Sequence, residues 1–314
     1  MTDSARSSSG DRPARSGATG DPVEPDPYRS RSEGHWELAE RADPVVWGDR
    51  DGPLSRAQLD GYSERGFVVL PDLFAPGEIA ALADECAQRA AAADRSRDDV
   101  VTEPGGDSVR SLFRLHRDCP AVQRLAADRR LAEAARQILG GEVYIHQSRV
   151  NFKPPFEGKA FPWHSDFETW HIEDGMPAPR ALSASVLLTR NTEHNGPLLV
   201  IPGSHRRYVR CVGRTPSDHF RQSLRSQSYG VPDRAALTTL VEAGGVSSIT
   251  GGAGTAVLFD CNLMHGSAGN ITPLPRHNVF MVYNSAANRL VAPFGGTPPR
   301  PLFLAERDPV PLAV

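Results

Sequence analysis

The sequence predicts a mainly β fold with a helical N-terminal section, a β-sandwich or jelly roll braced by α-helices. Three observations predict it. From residue 142 onward the hydrophobic rhythm has period two, in short runs separated by Gly, Pro and Asn. Before that point apolar residues recur at helical spacing. Residues 1–34, rich in Ser, Gly, Pro, Arg and Asp, have almost nothing to bury and read as a disordered polar tail, leaving 35–314 as one domain.

The elements follow in order. "LSRAQLDGYSERG" puts Leu54, Leu59 and Tyr62 on one helical face and stops at Gly66. "FVVLPDLF" predicts a short strand and turn. "APGEIAALADECAQRAAAA" predicts a helix, with Pro76 near its start and Ile79, Leu82 and Cys86 at helical spacing. A third helix is expected over 120–139, with Asp118 as its cap and the Gly140-Gly141 pair as its stop. "EVYIHQSRVNFK", "ALSASVLLT", "GPLLVIP", "TAVLFD" and "HNVFMVYN" predict strands. Residues 206–245 fit neither period and are expected to form an insertion or lid.

Charge is nearly balanced, 35 Lys plus Arg against 38 Asp plus Glu, which argues against a broad nucleic-acid footprint. Cys86, Cys119, Cys211 and Cys261 never form a Cys-x-x-Cys pair, so a zinc ribbon or disulfide framework is not expected and a reducing cytosol is. The N-terminus has no apolar signal core, and no apolar run is long enough to cross a bilayer. A cytoplasmic protein with neither membrane nor nucleic acid as partner is the expectation.

The chemistry concentrates in "FPWHSDFETWHIEDG", residues 161–175, where aromatics alternate with acids. His164 and Asp166 are two apart, and on a strand they would share a face and reach one ion. His265 follows the strand "TAVLFD", beside Gly266, and supplies a third ligand. Two His and a carboxylate on one side of an octahedron suit a non-haem Fe(II) centre, leaving three positions for a bidentate 2-oxo acid and O2. Arg276, at the entry to the next strand, offers a planar fork to the far carboxylate of such an acid. Singly these signals are weak: His116-x-Asp118 mimics the motif, His265 alone reads equally well as a turn histidine, and Arg276 alone reads as a surface ion pair. Together they favour a metal centre. His171 and Glu173 are placed on a loop, Cys261 is taken as a buried small hydrophobe, and His205 as a turn residue.

A second signal is the alternation of Gln147, Arg149, Asn151 and Lys153 along one strand face, opposite His146, Ser148, Val150 and Phe152. It fits a solvated outer face or a barrel interior built to hold a small polar ligand. Ser183 and Ser185, small and on one face of their strand, would leave room for that ligand.

"GFVVLPDLF...EIAALADE", the His-x-Asp motif, "NGPLLVIPGSH" and the distal His followed by Arg276 resemble the phytanoyl-CoA-dioxygenase-like Fe(II)/2-oxoglutarate-dependent dioxygenases. Within that family, "QSRVNFKP" followed by "FPWHSDFETWHIEDGMP" is similar to the ectoine hydroxylases, over about 55–300. The resemblance implies a double-stranded β-helix, a homodimer, and conversion of L-ectoine to 5-hydroxyectoine with 2-oxoglutarate and O2, releasing succinate and CO2, in compatible-solute synthesis under osmotic stress. It implies His164, Asp166 and His265 as iron ligands, Lys153 and Arg276 as the grip on 2-oxoglutarate, and Gln147, Trp170 and Ser185 as ectoine contacts. Physically, a Trp face attracts ectoine's cationic amidine, and a Gln amide offers donor and acceptor together. Three alternatives stay open: a hydroxylase of another small zwitterion or amino acid, a zinc hydrolase with Glu168 as base, and a non-catalytic protein that sequesters ectoine.

Overall fold

The computed structural model describes Met1, residues 26–216 and residues 218–314. Its strands are β1 (Glu37–Glu40), β2 (Phe67–Leu70), β3 (Val100–Thr102), β4 (Val109–Phe113), β5 (Val143–Lys153), β6 (Phe161–His164), β7 (Ala181–Leu187), β8 (Leu198–Val200), β9 (Arg207–Arg210), β10 (Ser247–Ile249), β11 (Ala256–Asp260), β12 (His265–Ser267) and β13 (Arg276–Ser285). The helices are α1 (Arg56–Arg65), α2 (Pro76–Ala92), α3 (Leu115–Asp118), α4 (Pro120–Ala126), α5 (Arg129–Leu139), α6 (Asp166–Thr169), α7 (Phe220–Ser223) and α8 (Arg234–Gly244). None is long and apolar enough to cross a membrane.

A major sheet runs β2-β11-β7-β13-β5-β4-β3 and a minor sheet β10-β8-β12-β6, with β1 and β9 as a separate ribbon. Neighbouring strands are antiparallel throughout these sheets. Strand β11 shows how the layers are built. Its Ala256 and Leu258 point to the helical side, in one core with Ile79, Leu82 and Ile138. Its Val257 and Phe259 point the other way, in a second core with Leu198, Val200 and Ile249 of the minor sheet. Period-two alternation thus feeds two apolar layers, helix on sheet and sheet on sheet. This is the double-stranded β-helix braced by helices that the sequence predicts.

Helices α1 and α2 fall where the periodicity places them, α1 starting at a capping box between Ser55 and Gln58. The expected single helix over 120–139 is instead two. Asp128 accepts a hydrogen bond from the Arg130 amide at 2.9 Å and starts a new helix, so the side chain outcompetes the continuing backbone ladder. Asp118 is not a cap: it ends α3, and Cys119 stands at the start of α4. Gly140 does end α5, at φ 68°, where a Cβ would collide with the Trp47 carbonyl.

Residues 2–25 of the expected tail lie outside the described residues. Residues 26–34, expected in the tail, are instead built into the fold. Tyr28 is buried and packs edge-on to Phe167 and Tyr208, with ring centroids 5.0 and 5.1 Å away. The partners of this strap lie far along the chain, where local composition gives no sign of them. The 206–245 region, read as an insertion or lid, contributes β9, α7 and α8, and its Ser223, Leu224 and Gln227 line the central cavity.

Candidate active site

The two sheets enclose a cavity of about 970 Å³, its mouth included, which suits a small ligand. Three predicted side chains meet at its floor. His164 is the last residue of β6, His265 the first of β12, and the two are direct cross-strand partners. Their ring centroids are 4.2 Å apart. Asp166 does not share a strand with His164, as its spacing had suggested. The strand stops at His164, and Asp166 opens α6 after Ser165. The Phe167 amide donates to the Cys261 carbonyl at 2.8 Å and holds α6 against the turn before β12. Asn262, in that turn, accepts from Ser165 Oγ and donates to the carbonyls of His205 and Arg207.

The geometry suits one ion. Asp166 Oδ1 lies 3.6 Å from His164 Nε2, and Asp166 Oδ2 lies 3.9 Å from His265 Nε2. One donor atom from each residue falls within 4.8 Å of the others. Both histidines spend Nδ1 on a backbone carbonyl at 2.9 Å, His164 on Pro162 and His265 on Leu263, which turns each Nε2 inward. Burial and the neighbouring His164 push the His265 ring down to about 4, so at neutral pH it is the unprotonated, ligating form. Burial alone would raise the Asp166 carboxyl, but His265, His164 and Arg149 together hold it well below the usual carboxylate range. Two imidazole nitrogens and one carboxylate oxygen fit Fe(II).

Lys153 and Arg276 are also cross-strand partners, at the facing ends of β5 and β13. Lys153 Nζ donates to Ser267 Oγ at 2.9 Å and to the Ala268 carbonyl. Ser267 is two residues beyond His265 on β12, so the metal ligand and this contact share a face. Burial, Arg276 and Arg110 push Lys153 down to about 6; burial, Arg110 and Arg149 push Arg276 down to about 10. Arg276 Nε, although buried, has no hydrogen-bond partner among the described residues. Lys153 and Arg276 disfavour each other's charge and form no ion pair with a described carboxylate, Glu103 being paired with Arg110, and so fit a dianion such as 2-oxoglutarate.

Gln147, Arg149, Asn151 and Lys153 line the cavity, so the alternating polar face is an interior face. The opposite-face assignment of His146 needs correcting. A bulge between the β5 and β13 registers, at Ile145 and Gln147, leaves His146 as the extra residue. Its ring sits 5.1 Å from that of Trp170, on the cavity side. Trp170 is buried in the cavity wall, at the start of the π-helical turn Trp170–Asp174. Gln147 already donates to the Leu304 carbonyl at 2.8 Å and accepts from Arg149 at 2.7 Å. Ser185 is fully buried, accepts from Asn278 Nδ2 at 3.3 Å and is not part of the cavity wall. Ser183, on the same strand face, reaches the Asp166 carboxylate at 3.4 Å.

The other acids of the 161–175 block take no part in the metal centre. Glu168 accepts from Ser30 and Arg31, Glu173 from Arg31, and Asp174 from Arg300 at 2.8 and 2.6 Å. Glu168 is therefore committed to a guanidinium and is not placed to serve as the base of a zinc hydrolase. His171 and Glu173 lie in the helical turn rather than on a loop; His171 is buried, stacked on Phe294 and bonded to Asp26. His205 sits in a short 3-10 turn, facing the Ser63 carbonyl. Sequence reasoning missed Arg110 and Arg300 in the wall. Arg110 sits on an alternating strand and was legible in principle, whereas Arg300 sits on irregular chain with no period to mark it.

Comparison with known proteins agrees with this geometry. A model of the family "Phytanoyl-CoA dioxygenase (PhyH)" matches residues 62–278. An ectoine dioxygenase of Sphingopyxis alaskensis is 54% identical over 293 residues, covering 92% of this chain and 96% of the relative. One from Bordetella parapertussis is 55% identical over 287 residues, covering 90% and 93%. The crystal structure of EctD from S. alaskensis with 2-oxoglutarate and 5-hydroxyectoine superposes with a TM-score of 0.82 at 50% identity, covering 91% of this chain and 97% of that one. Its form with bound Fe gives 0.81 at 49% identity, covering 92% and 98%. Sheet order, the His-Asp-His floor and these matches lead to one conclusion: this chain belongs to the phytanoyl-CoA dioxygenase family, among relatives that are ectoine dioxygenases.

Proposed function

We propose that this chain is an Fe(II)- and 2-oxoglutarate-dependent ectoine hydroxylase, converting L-ectoine to 5-hydroxyectoine with release of succinate and CO2. The observation that carries the reading is that the His164, Asp166 and His265 donors line the same cavity as Lys153 and Arg276, neither of which is ion-paired to a described carboxylate. In this reading the first three hold the iron. Lys153 and Arg276 hold the 2-oxoglutarate carboxylate that lies away from the metal. Iron with 2-oxoglutarate and O2 supplies the oxidising chemistry when bound.

The chain's own contribution is placement and exclusion of water. Trp170 presents an aromatic wall to the cationic amidine, an attraction that strengthens as water leaves. The remaining amide hydrogen and lone pair of Gln147 are the groups that orient the ring. Ser185, buried outside the cavity wall with its hydroxyl engaged by Asn278, is left out of the set of substrate contacts. Homodimerisation, cytosolic residence and a role in compatible-solute synthesis belong to the same reading. Four free, buried cysteines suit a reducing compartment.

The deciding experiment measures succinate from the Fe(II)-loaded protein with and without ectoine, and hydroxyectoine by mass. Ectoine-stimulated succinate matched by hydroxyectoine is the expected result. Succinate release indifferent to ectoine would overturn the substrate assignment.

A further inference from the structure

One buried side chain ties together parts of the molecule that the chemistry above treats separately. Arg31, in the strap before β1, is 6% exposed. Its Nε and Nη2 donate to the two carboxylate oxygens of Glu168 at 3.0 and 2.8 Å. Its Nη1 donates to Glu173 and, at 2.6 Å, to Thr215 Oγ1. Nη2 also reaches Thr169 Oγ1 at 3.1 Å. The strap is fixed in turn by the Arg31 amide, which donates to the Cys211 carbonyl at 2.9 Å. Arg31 holds φ at 55°, a left-handed conformation that a long side chain adopts only where surrounding contacts enforce it.

Three segments meet at this guanidinium. The first is the strap. The second is the helical block 166–174, which begins at Asp166 and contains Trp170. The third comprises Thr215 and residues 218–230, whose Ser223, Leu224 and Gln227 line the cavity. Gln227 donates to Thr169 at 3.1 Å, and a Cβ on Gly230 would stand 2.1 Å from Glu168 Oε2 and 2.5 Å from Arg31 Nη2. The third segment therefore lies directly on the ion pair, and Gly230, at φ 67°, is what allows it.

Stability does not account for such an arrangement. Well-packed apolar residues usually replace a buried ion cluster without loss, whereas a bidentate fork fixes direction and distance in a way they cannot. We propose that Arg31 is a positioning residue for the reaction: it fixes the Asp166–Trp170 helix and the wall formed by Ser223, Leu224 and Gln227 to each other, so that metal ligand and substrate wall keep one geometry. The proposal rests on the hydroxylase reading given above.

The test uses Arg31→Lys, which keeps the charge and loses the fork, and Thr215→Val, which cuts only the tie to the third segment. Both are compared with the parent protein by hydroxyectoine formed per succinate, by KM and kcat for ectoine, and by hydrogen exchange over 166–174 without metal. For Arg31→Lys the expected result is about a tenfold drop in product per succinate, the scale of a sub-ångström misplacement, with faster exchange over 166–174 and an unchanged KM for 2-oxoglutarate. Thr215→Val is expected to move the product ratio the same way by a smaller factor. An unchanged ratio and exchange in Arg31→Lys would overturn the proposal. So would a loss that scales both products equally with the folded fraction, because that is a structural role alone. Should Arg31→Lys fail to fold, Thr215→Val decides, and a parental ratio there overturns the proposal. If the parent protein itself shows no ectoine-dependent succinate, the substrate reading fails, and the exchange measurement still judges Arg31 separately.

Discussion

Lys153 and Arg276 stand opposite each other across β5 and β13, and neither forms an ion pair with a described carboxylate. A charged Lys153 beside Arg276 is unfavourable until an anion arrives. Lys153 is held at about 6, below its ordinary 10.5. Because its folded value is depressed, folding without an anion expels the proton between those limits. The stability penalty is full below about pH 6 and is relieved as pH rises toward 10.5. A bound dicarboxylate favours the charged lysine, so 2-oxoglutarate binding at pH 8 should take up a proton. Anaerobic calorimetry in buffers of different ionisation enthalpy checks this, and binding without proton uptake would contradict the assignment.

Removal of one metal ligand should separate metal binding from folding. His265→Ala is expected to keep the thermal transition within a few degrees and to lose the visible absorption that anaerobic Fe(II) and 2-oxoglutarate give the parent protein. The ring is one of three donors at the floor, and the remaining two leave the ion weakly held. An undiminished band would remove His265 from the ligand set.

Trp170 is the wall against which the substrate cation is expected to rest. Loss of a desolvated cation–π contact costs about 1–2 kcal/mol, roughly a tenfold rise in KM for ectoine. Trp170→Ala should therefore raise that KM and leave 2-oxoglutarate consumption running ahead of hydroxylation. A parental product ratio would count against this role.

Phe259 is fully buried between the sheets, and its ring lies 5.1 Å from that of His265. Phe259→Ala should destabilise the protein by about 3–5 kcal/mol, through lost burial and the cavity left behind. Urea unfolding measures it. Iron affinity should fall as well, since the cavity opens beside a ligand.

The buried acid layer offers one further check. Glu168→Gln keeps the shape but removes the charge that faces Arg31. Breaking a buried pair on one side costs about 3–5 kcal/mol, so a lowered melting temperature is expected. A protein as stable as the parent would show that the pair is solvated in solution.

Local pattern alone marked β5, β7, β11 and β13 as strands, because their alternation reflects two buried layers that each strand must satisfy by itself, whereas the short β1, β3, β4, β9 and β10 went unmarked. It also supplied the residues that line the cavity on β5, since their period survives past the bulge. What it left open were relationships between distant segments. Whether Gln147 to Lys153 faced water or a cavity depended on a minor sheet that no residue of β5 encodes. The pairing of His164 with His265, the capture of Glu168 by Arg31, and the turning of His146 toward Trp170 by a bulge were decided by tertiary structure. Side-chain direction follows from strand period, but partnership follows from register and packing, and those exist only once the sheets have closed.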